Sequence, residues 1–293
     1  MRFAWKLTVA LTLVAPLALA QPNGAASGVK PPVGMVDQPC PAPVAMPPSV
    51  RDLLTSLFME PRTLGPTDIA KLTGDKAFGE YNAANRGYPG QDWAGLCRFR
   101  AANDAYVASG KTPRIVFMGD SITENWLLGD PALFNDNSVN RGIGGQTAPQ
   151  MLLRFRADVV RLKPRMVHLM TGTNDIAGNT GPSTVQDFKN NVMSMVELAR
   201  ANGIAVLLAS IPPTAGFNWQ PAIDPAPRIR ELNAWLKEYA AGNGLVYIDY
   251  YSALAGAKGE LRTELGNDGV HPNKAGYAVM RKLLNQQLAA PGK

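Results

Sequence analysis

The stretch "VFMGDSITENW", residues 116–126, holds the first sign of the fold. An apolar run ends in Gly119-Asp120-Ser121 and the chain then turns polar, as at a strand-to-helix turn. A buried strand feeding straight into a helical turn is the building unit of a parallel α/β sheet. It also places a serine hydroxyl at the strand tip. That position suits either a plain turn or a presented nucleophile, and the other loops must decide between them.

Outward from this stretch the pattern repeats. "RIVFM" (114–118), "MVHLM" (166–170), "AVLLASI" (205–211) and "LVYID" (245–249) are short apolar runs, with a fifth strand expected near "SVNR" (138–141). Between them, apolar residues recur every three or four positions. Met151, Leu152, Phe155, Val159 and Leu162 form one face, Val185, Phe188, Val192, Met195 and Ala199 another, and Ile229, Leu232, Trp235, Leu236 and Tyr239 a third. Buried strands alternating with amphipathic helices predict a three-layer α/β domain over residues 112–290, with a central parallel five-stranded sheet.

The remainder of the 293 residues divides by composition. "MRFAWK" followed by "LTVALTLVAPLALA" has the charge, apolar length and small-x-small end of an export signal over residues 1–20. Its apolar run is short for a membrane span, and no cysteine directly follows the expected cut, so no stable membrane anchor is expected. Residues 21–49 are rich in Pro, Gly and small residues and read as an extended or disordered leader. Residues 50–111 contain helix-like pieces and are expected to pack on the main domain as an extension. Hydrophobic residues at 46% and charged residues at 18% are ordinary for a globular chain. Loss of Arg2 and Lys6 with the signal takes the net charge from +6 to +4. The remaining basic residues are scattered, which argues against a nucleic-acid partner. Cys40 and Cys97 are a bridge or two unpaired thiols; both readings stay open. Two cysteines and two distant histidines show no zinc-ligand spacing, so neither metal nor cofactor is expected.

In open α/β sheets ligands bind beyond the carboxyl ends of the strands, and the polar clusters of this chain follow its strands. A serine needs a base to become a nucleophile. His168 lies within an apolar strand pattern and reads as buried and structural. His271, in "DGVHPNKAGY", is the better base, and Asp268 three residues earlier is placed to orient it. Acyl transfer also needs oxyanion donors: the N–H of Ser121, the N–H of Gly145 in "RGIGGQT", and the side-chain amide of Asn174 in "GTND". Asp120 reads as a structural residue that orients its loop. Trp126 and Trp219 fall in expected loops after strands one and four. There an indole could stack on a sugar ring or simply pack the loop.

Four blocks in this order, "GDSIT", "NRGIGGQT", "GTND" and "DGVHPN", make residues 112–290 resemble the SGNH hydrolase superfamily, the GDSL esterases and lipases. The likeness is strongest to small bacterial members similar to platelet-activating-factor acetylhydrolase subunits and to carbohydrate acetylesterases. Gln146 stands where many relatives carry an acidic residue. The resemblance implies a flavodoxin-like sheet, a metal-independent Ser121–His271–Asp268 mechanism, and a small-molecule or polysaccharide ester as substrate. Within it, an exported esterase for short acyl groups, acetyl above all, is the leading expectation. A lysophospholipase, an O-acyltransferase using the same residues, and a silent carbohydrate-binding module are the alternatives. Oligomeric state is not legible.

Overall fold

The first strand, β1 (Ile115–Gly119), is buried along its whole length and sits at the centre of the fold. Parallel neighbours flank it: β2 (Ser138–Gly142) on one side and β3 (Met166–Leu169) on the other. Beyond β3 lie β4 (Ala205–Ala209) and β5 (Val246–Ile248), giving the order β2-β1-β3-β4-β5 in one parallel five-stranded sheet. The structure is a computed structural model and describes residues 32–85 and 91–289. The export signal expected at 1–20 and the start of the leader lie outside those residues.

Helices enter in chain order. The N-terminal extension carries α1 (Pro48–Leu54), α2 (Pro66–Gly74), α3 (Lys76–Asn85) and α4 (Arg100–Ala108). The main domain carries α5 (Ser121–Gly129), α6 (Ala148–Asp158), α7 (Thr173–Ile176), α8 (Val185–Ala201), α9 (Ala226–Gly242), α10 (Tyr250–Leu254) and α11 (Lys274–Ala289). Each strand presents alternate side chains to opposite faces, so one sheet supports two cores. Val116, Met118, Val167, Leu169, Val206 and Leu208 meet the apolar faces of α6, α8 and α9. Ile115, Phe117, Leu207, Ala209 and Ile248 meet α5, α10 and α11. The result is a helix–sheet–helix sandwich with every strand tip opening on the same rim.

The described part of the leader is extended and tied down at one point. Residues 32–47 carry no helix or strand, but Cys40 is bonded to Cys97, and α1 already begins at Pro48. The bridge closes a loop with a sequence separation of 57, which costs the unfolded chain roughly 4 kcal/mol of loop entropy. The extension also reaches the rim. After α1 the chain continues in a π-helical turn, Thr55–Met59, whose Leu57 and Met59 are buried. The carbonyls of Leu57 and Glu60 accept from Asn267 Nδ2 at 2.8 and 2.6 Å, and Leu64 N donates to Asn267 O. No described helix is long and apolar enough to cross a membrane.

Candidate active site

Ser121 is the first residue of α5, and Asp120 caps that helix by accepting from Ile122 N at 2.9 Å. Capping by a side-chain carboxylate is a common helix-start device, and here it turns the chain sharply at the strand tip. The helix is held from below. Trp126 stacks on Tyr277 of α11 with ring centroids 5.6 Å apart, and Tyr277 Oη donates to Ile122 O at 2.7 Å. These contacts dock α11 on α5, and the loop before α11 carries His271.

The two ends therefore meet. Ser121 Oγ lies 2.8 Å from His271 Nε2, and His271 Nδ1 lies 2.6 Å from Asp268 Oδ2. Asp268 Oδ1 accepts from the backbone N–H groups of Val270 and His271, at 2.9 and 2.7 Å, which locks the carboxylate in a tight turn. Burial opposes charge on both members of the pair. Their mutual attraction outweighs it, raising the His271 pKa and lowering that of Asp268. Phe58 of the extension closes the other flank of His271, edge to face at 5.9 Å.

The three expected N–H donors lie on loops and helix starts at the strand tips. The N–H groups of Ser121 and Gly145 have no protein acceptor among the described residues. Gly145 sits at φ +79°, a left-handed conformation that favours glycine, and its neighbour Gly144 donates N–H to Glu124 Oε2 at 2.7 Å. At Gly142 even a Cβ would come within 2.2 Å of Glu124 N, so only glycine lets β2 approach α5 this closely. The third donor, Asn174, is buried on α7. Its Nδ2 donates to Gln146 O at 3.0 Å and, more loosely, to Asp120 Oδ2 at 3.3 Å. Such an arrangement can pass a proton from serine to imidazole and surround a nascent oxyanion with N–H groups.

Residues 117–279 match the GDSL-like lipase/acylhydrolase family. The chain belongs to that family. Two solved structures are similar to this GDSL-like acylhydrolase over most of their length. One, a Bacteroides fragilis protein proposed to be an acylhydrolase, is 44% identical with a TM-score of 0.64, covering 68% of this chain and 97% of its own. The other, a GDSL-like lipase from Bacteroides thetaiotaomicron, is 41% identical with a TM-score of 0.63, covering 67% and 97%. A curated relative, the uncharacterized lipoprotein YqeF of Bacillus subtilis, is 42% identical over 82 residues, which are 27% of this chain. The match spans about a third (34%) of that relative's length. The acylhydrolase family makes the protein a carboxylic ester hydrolase.

One expectation fails. Trp126 is not in a loop and cannot face substrate. It is fully buried in α5 among Phe117, Phe134, Tyr250 and Tyr277, because its position five residues past Ser121 turns it toward the sheet. Trp219 does lie on the rim, partly buried against Phe217. His168 is wholly buried, 3.1 Å from Tyr250 Oη, and burial drives its pKa down to about 3.

Several residues of the GDSL acylhydrolase site escaped the sequence reading. Glu124, which holds Gly144, is itself paired with Arg98 of the extension at 2.9 Å. The Asp175 carboxylate accepts from Ala148 N with both oxygens, joining two rim loops, and burial raises its pKa to about 7. Asn179 donates to Asn174 Oδ1 at 2.7 Å. Gln146, at the departure from many relatives, accepts from the buried Arg154 at 2.6 Å and donates to Ala94 O. A groove of about 440 Å³ lined by Phe217, Asn218, Pro221, Glu260 and Asp268 flanks the Asp268–His271 loop. Another, of about 450 Å³ beside Arg114 and Arg165, lies at the far ends of the strands and away from this chemistry.

Proposed function

We propose that the protein is an exported serine esterase in which Ser121 is the nucleophile, His271 the general base and acid, and Asp268 the residue that orients and stabilises His271. The observation that carries this is the unbroken hydrogen-bonded chain from Ser121 Oγ through His271 to Asp268, at 2.8 and 2.6 Å, with the N–H groups of Ser121 and Gly145 lacking a protein acceptor among the described residues. His271 Nε2 takes the hydroxyl proton as Oγ bonds to the ester carbonyl carbon. The oxyanion is received by the N–H groups of Ser121 and Gly145 and by Asn174 Nδ2, whose long contact to Asp120 is the weaker of its two bonds. His271 then returns the proton to the departing alkoxide as the ester C–O bond breaks. Water repeats the sequence on the acyl-enzyme, releasing acid and free Ser121. No step calls for a metal ion.

The substrate we propose is a short acyl ester, acetyl above all, on a polar alcohol such as a sugar hydroxyl. Ser121 and His271 remain part-exposed on an open rim, and the connections that build it are modest in length, which favours a small acyl group over a long chain. Trp126 no longer supports the sugar reading; Trp219 still lies on the rim. Export is supported by the pattern of residues 1–20, by the Cys40–Cys97 bridge, which suits an oxidising compartment, and by the description of the Bacillus relative as a lipoprotein.

A fluorophosphonate probe should label the wild type and not Ser121→Ala; equal labelling would refute the nucleophile. A series of p-nitrophenyl esters, run beside acetylated xylan and a lysophospholipid, tests the substrate. An optimum at long chains with no acetate released would reject the carbohydrate ester.

A further inference from the structure

A primary amide has two ends of almost equal shape, and only one of them donates. If Asn174 is to donate Nδ2 to an oxyanion, something must hold its other end. Asn174 Oδ1 accepts from Asn179 Nδ2 at 2.7 Å. Asn179, however, is an amide with the same ambiguity. Its own Nδ2 also lies 3.3 Å from Gly145 O, and its Oδ1 lies 2.9 Å from Trp219 Nε1.

An indole N–H is a donor and nothing else. It therefore decides which end of Asn179 faces it. Turned over, Asn179 would set its NH₂ against the indole N–H and its oxygen against both Gly145 O and Asn174 Oδ1, losing three contacts at once. The indole is itself fixed. It packs on Phe217 at 5.1 Å, in a small apolar cluster with Ile176, Ala177 and Val270 that lies under the rim. On the far side, Gln146 O holds Asn174 Nδ2.

We infer that Trp219 is a positioning residue. Its N–H fixes which way Asn179 faces, so that Asn179 Nδ2 clamps the oxygen end of the Asn174 amide while Gln146 O and Asp120 Oδ2 hold its Nδ2 end, and Asn179 is kept against the Gly145 loop. This inference rests on the oxyanion role proposed for Asn174. It gives Trp219 a task in turnover without contact to the acyl or leaving group.

The test is a double-mutant cycle on the purified full-length protein with p-nitrophenyl acetate. Trp219→Phe keeps the ring and removes the N–H. It should lower kcat by about 10-fold with KM little changed, a fraction of the ~10²-fold loss typical when an oxyanion donor is removed outright. In an Asn174→Ala background the same change should have almost no further effect. Asn179→Leu, which breaks the chain at its middle, should show the same loss and the same coupling, and stands in if Trp219→Phe does not fold. Full additivity with Asn174→Ala, or a raised KM at unchanged kcat, would overturn the inference and mark Trp219 as packing or substrate contact. If Asn174→Ala itself keeps wild-type kcat, the oxyanion assignment falls and this inference falls with it.

Discussion

Trp126 offers a sharp test of whether the rim or the core claims this side chain. It has no exposed surface and is edge-on to Phe117, Phe134 and Tyr250 and stacked on Tyr277. A buried aromatic covers about 150–250 Å², which at about 25 cal/mol per Å² gives about 4–6 kcal/mol of transfer free energy. Relaxation of the surroundings and the retained methyl reduce this, so Trp126→Ala should cost about 3–5 kcal/mol. The indole N–H complicates the ledger, because Nε1 is buried without a partner among the described residues. An orphaned donor costs about 1–3 kcal/mol. Trp126→Phe removes that orphan along with part of the ring, so the two effects oppose and the loss should stay below about 2 kcal/mol. Urea unfolding of the three proteins, followed by far-UV circular dichroism, measures both values. Where Trp126→Phe folds, KM for acetylated xylo-oligosaccharides should match wild type. A raised KM at unchanged unfolding midpoint would refute the core assignment and restore a sugar-stacking role.

Acidity should act on rate and stability separately. His271 has a raised pKa through its Asp268 partner, so kcat/KM should climb as pH rises through that value, since only the neutral imidazole accepts the serine proton. The pKa of Asp175, raised by burial to about 7, binds more protons in the folded than the unfolded state between its ordinary value and 7. Stability should therefore fall as pH rises from about 4 to 7, and Asp175→Asn should flatten that slope in unfolding midpoints. Removing the bridge with Cys40→Ser and Cys97→Ser should cost up to about 4 kcal/mol, read as a lower denaturation midpoint; an unchanged midpoint would show that the N-terminal extension unfolds independently. Glu124→Ala should release Gly144 and lower kcat by about 10-fold or more through loss of alignment, with the protein still folded by circular dichroism.

The sheet was legible because its strands are apolar throughout and its helices keep strict three-and-four spacing, signals that burial on both faces imposes. The Ser121, Asn174 and His271 blocks were legible because their chemistry is concentrated within a few residues. Trp126 misleads because the helical turn at Ser121 continues to Gly129 instead of giving way to a loop, and the direction of a side chain depends on that difference. Phe58 and Arg98 were illegible for a different reason. Their partners, His271 and Glu124, are joined to them only by tertiary packing, and a lone phenylalanine or arginine outside any motif carries no local mark of its neighbour. Asn179 lay within a quoted rim loop, yet its value depends on an indole 40 residues away in sequence.

The strap that runs from Cys40 to Arg98 changes what counts as the smallest working piece of this molecule. The family match begins at residue 117, and a chain trimmed there would retain every motif. It would lack the ring against His271, the peptide carbonyls that anchor Asn267 beside the triad turn, and the guanidinium that steadies Glu124 under the Gly144 loop. Anyone transplanting the hydrolase into another scaffold, or shortening it for expression, would therefore place the cut ahead of Cys40 and make the protein where thiols oxidise. The motifs define the chemistry, while a segment with none of them defines the part that can be moved intact.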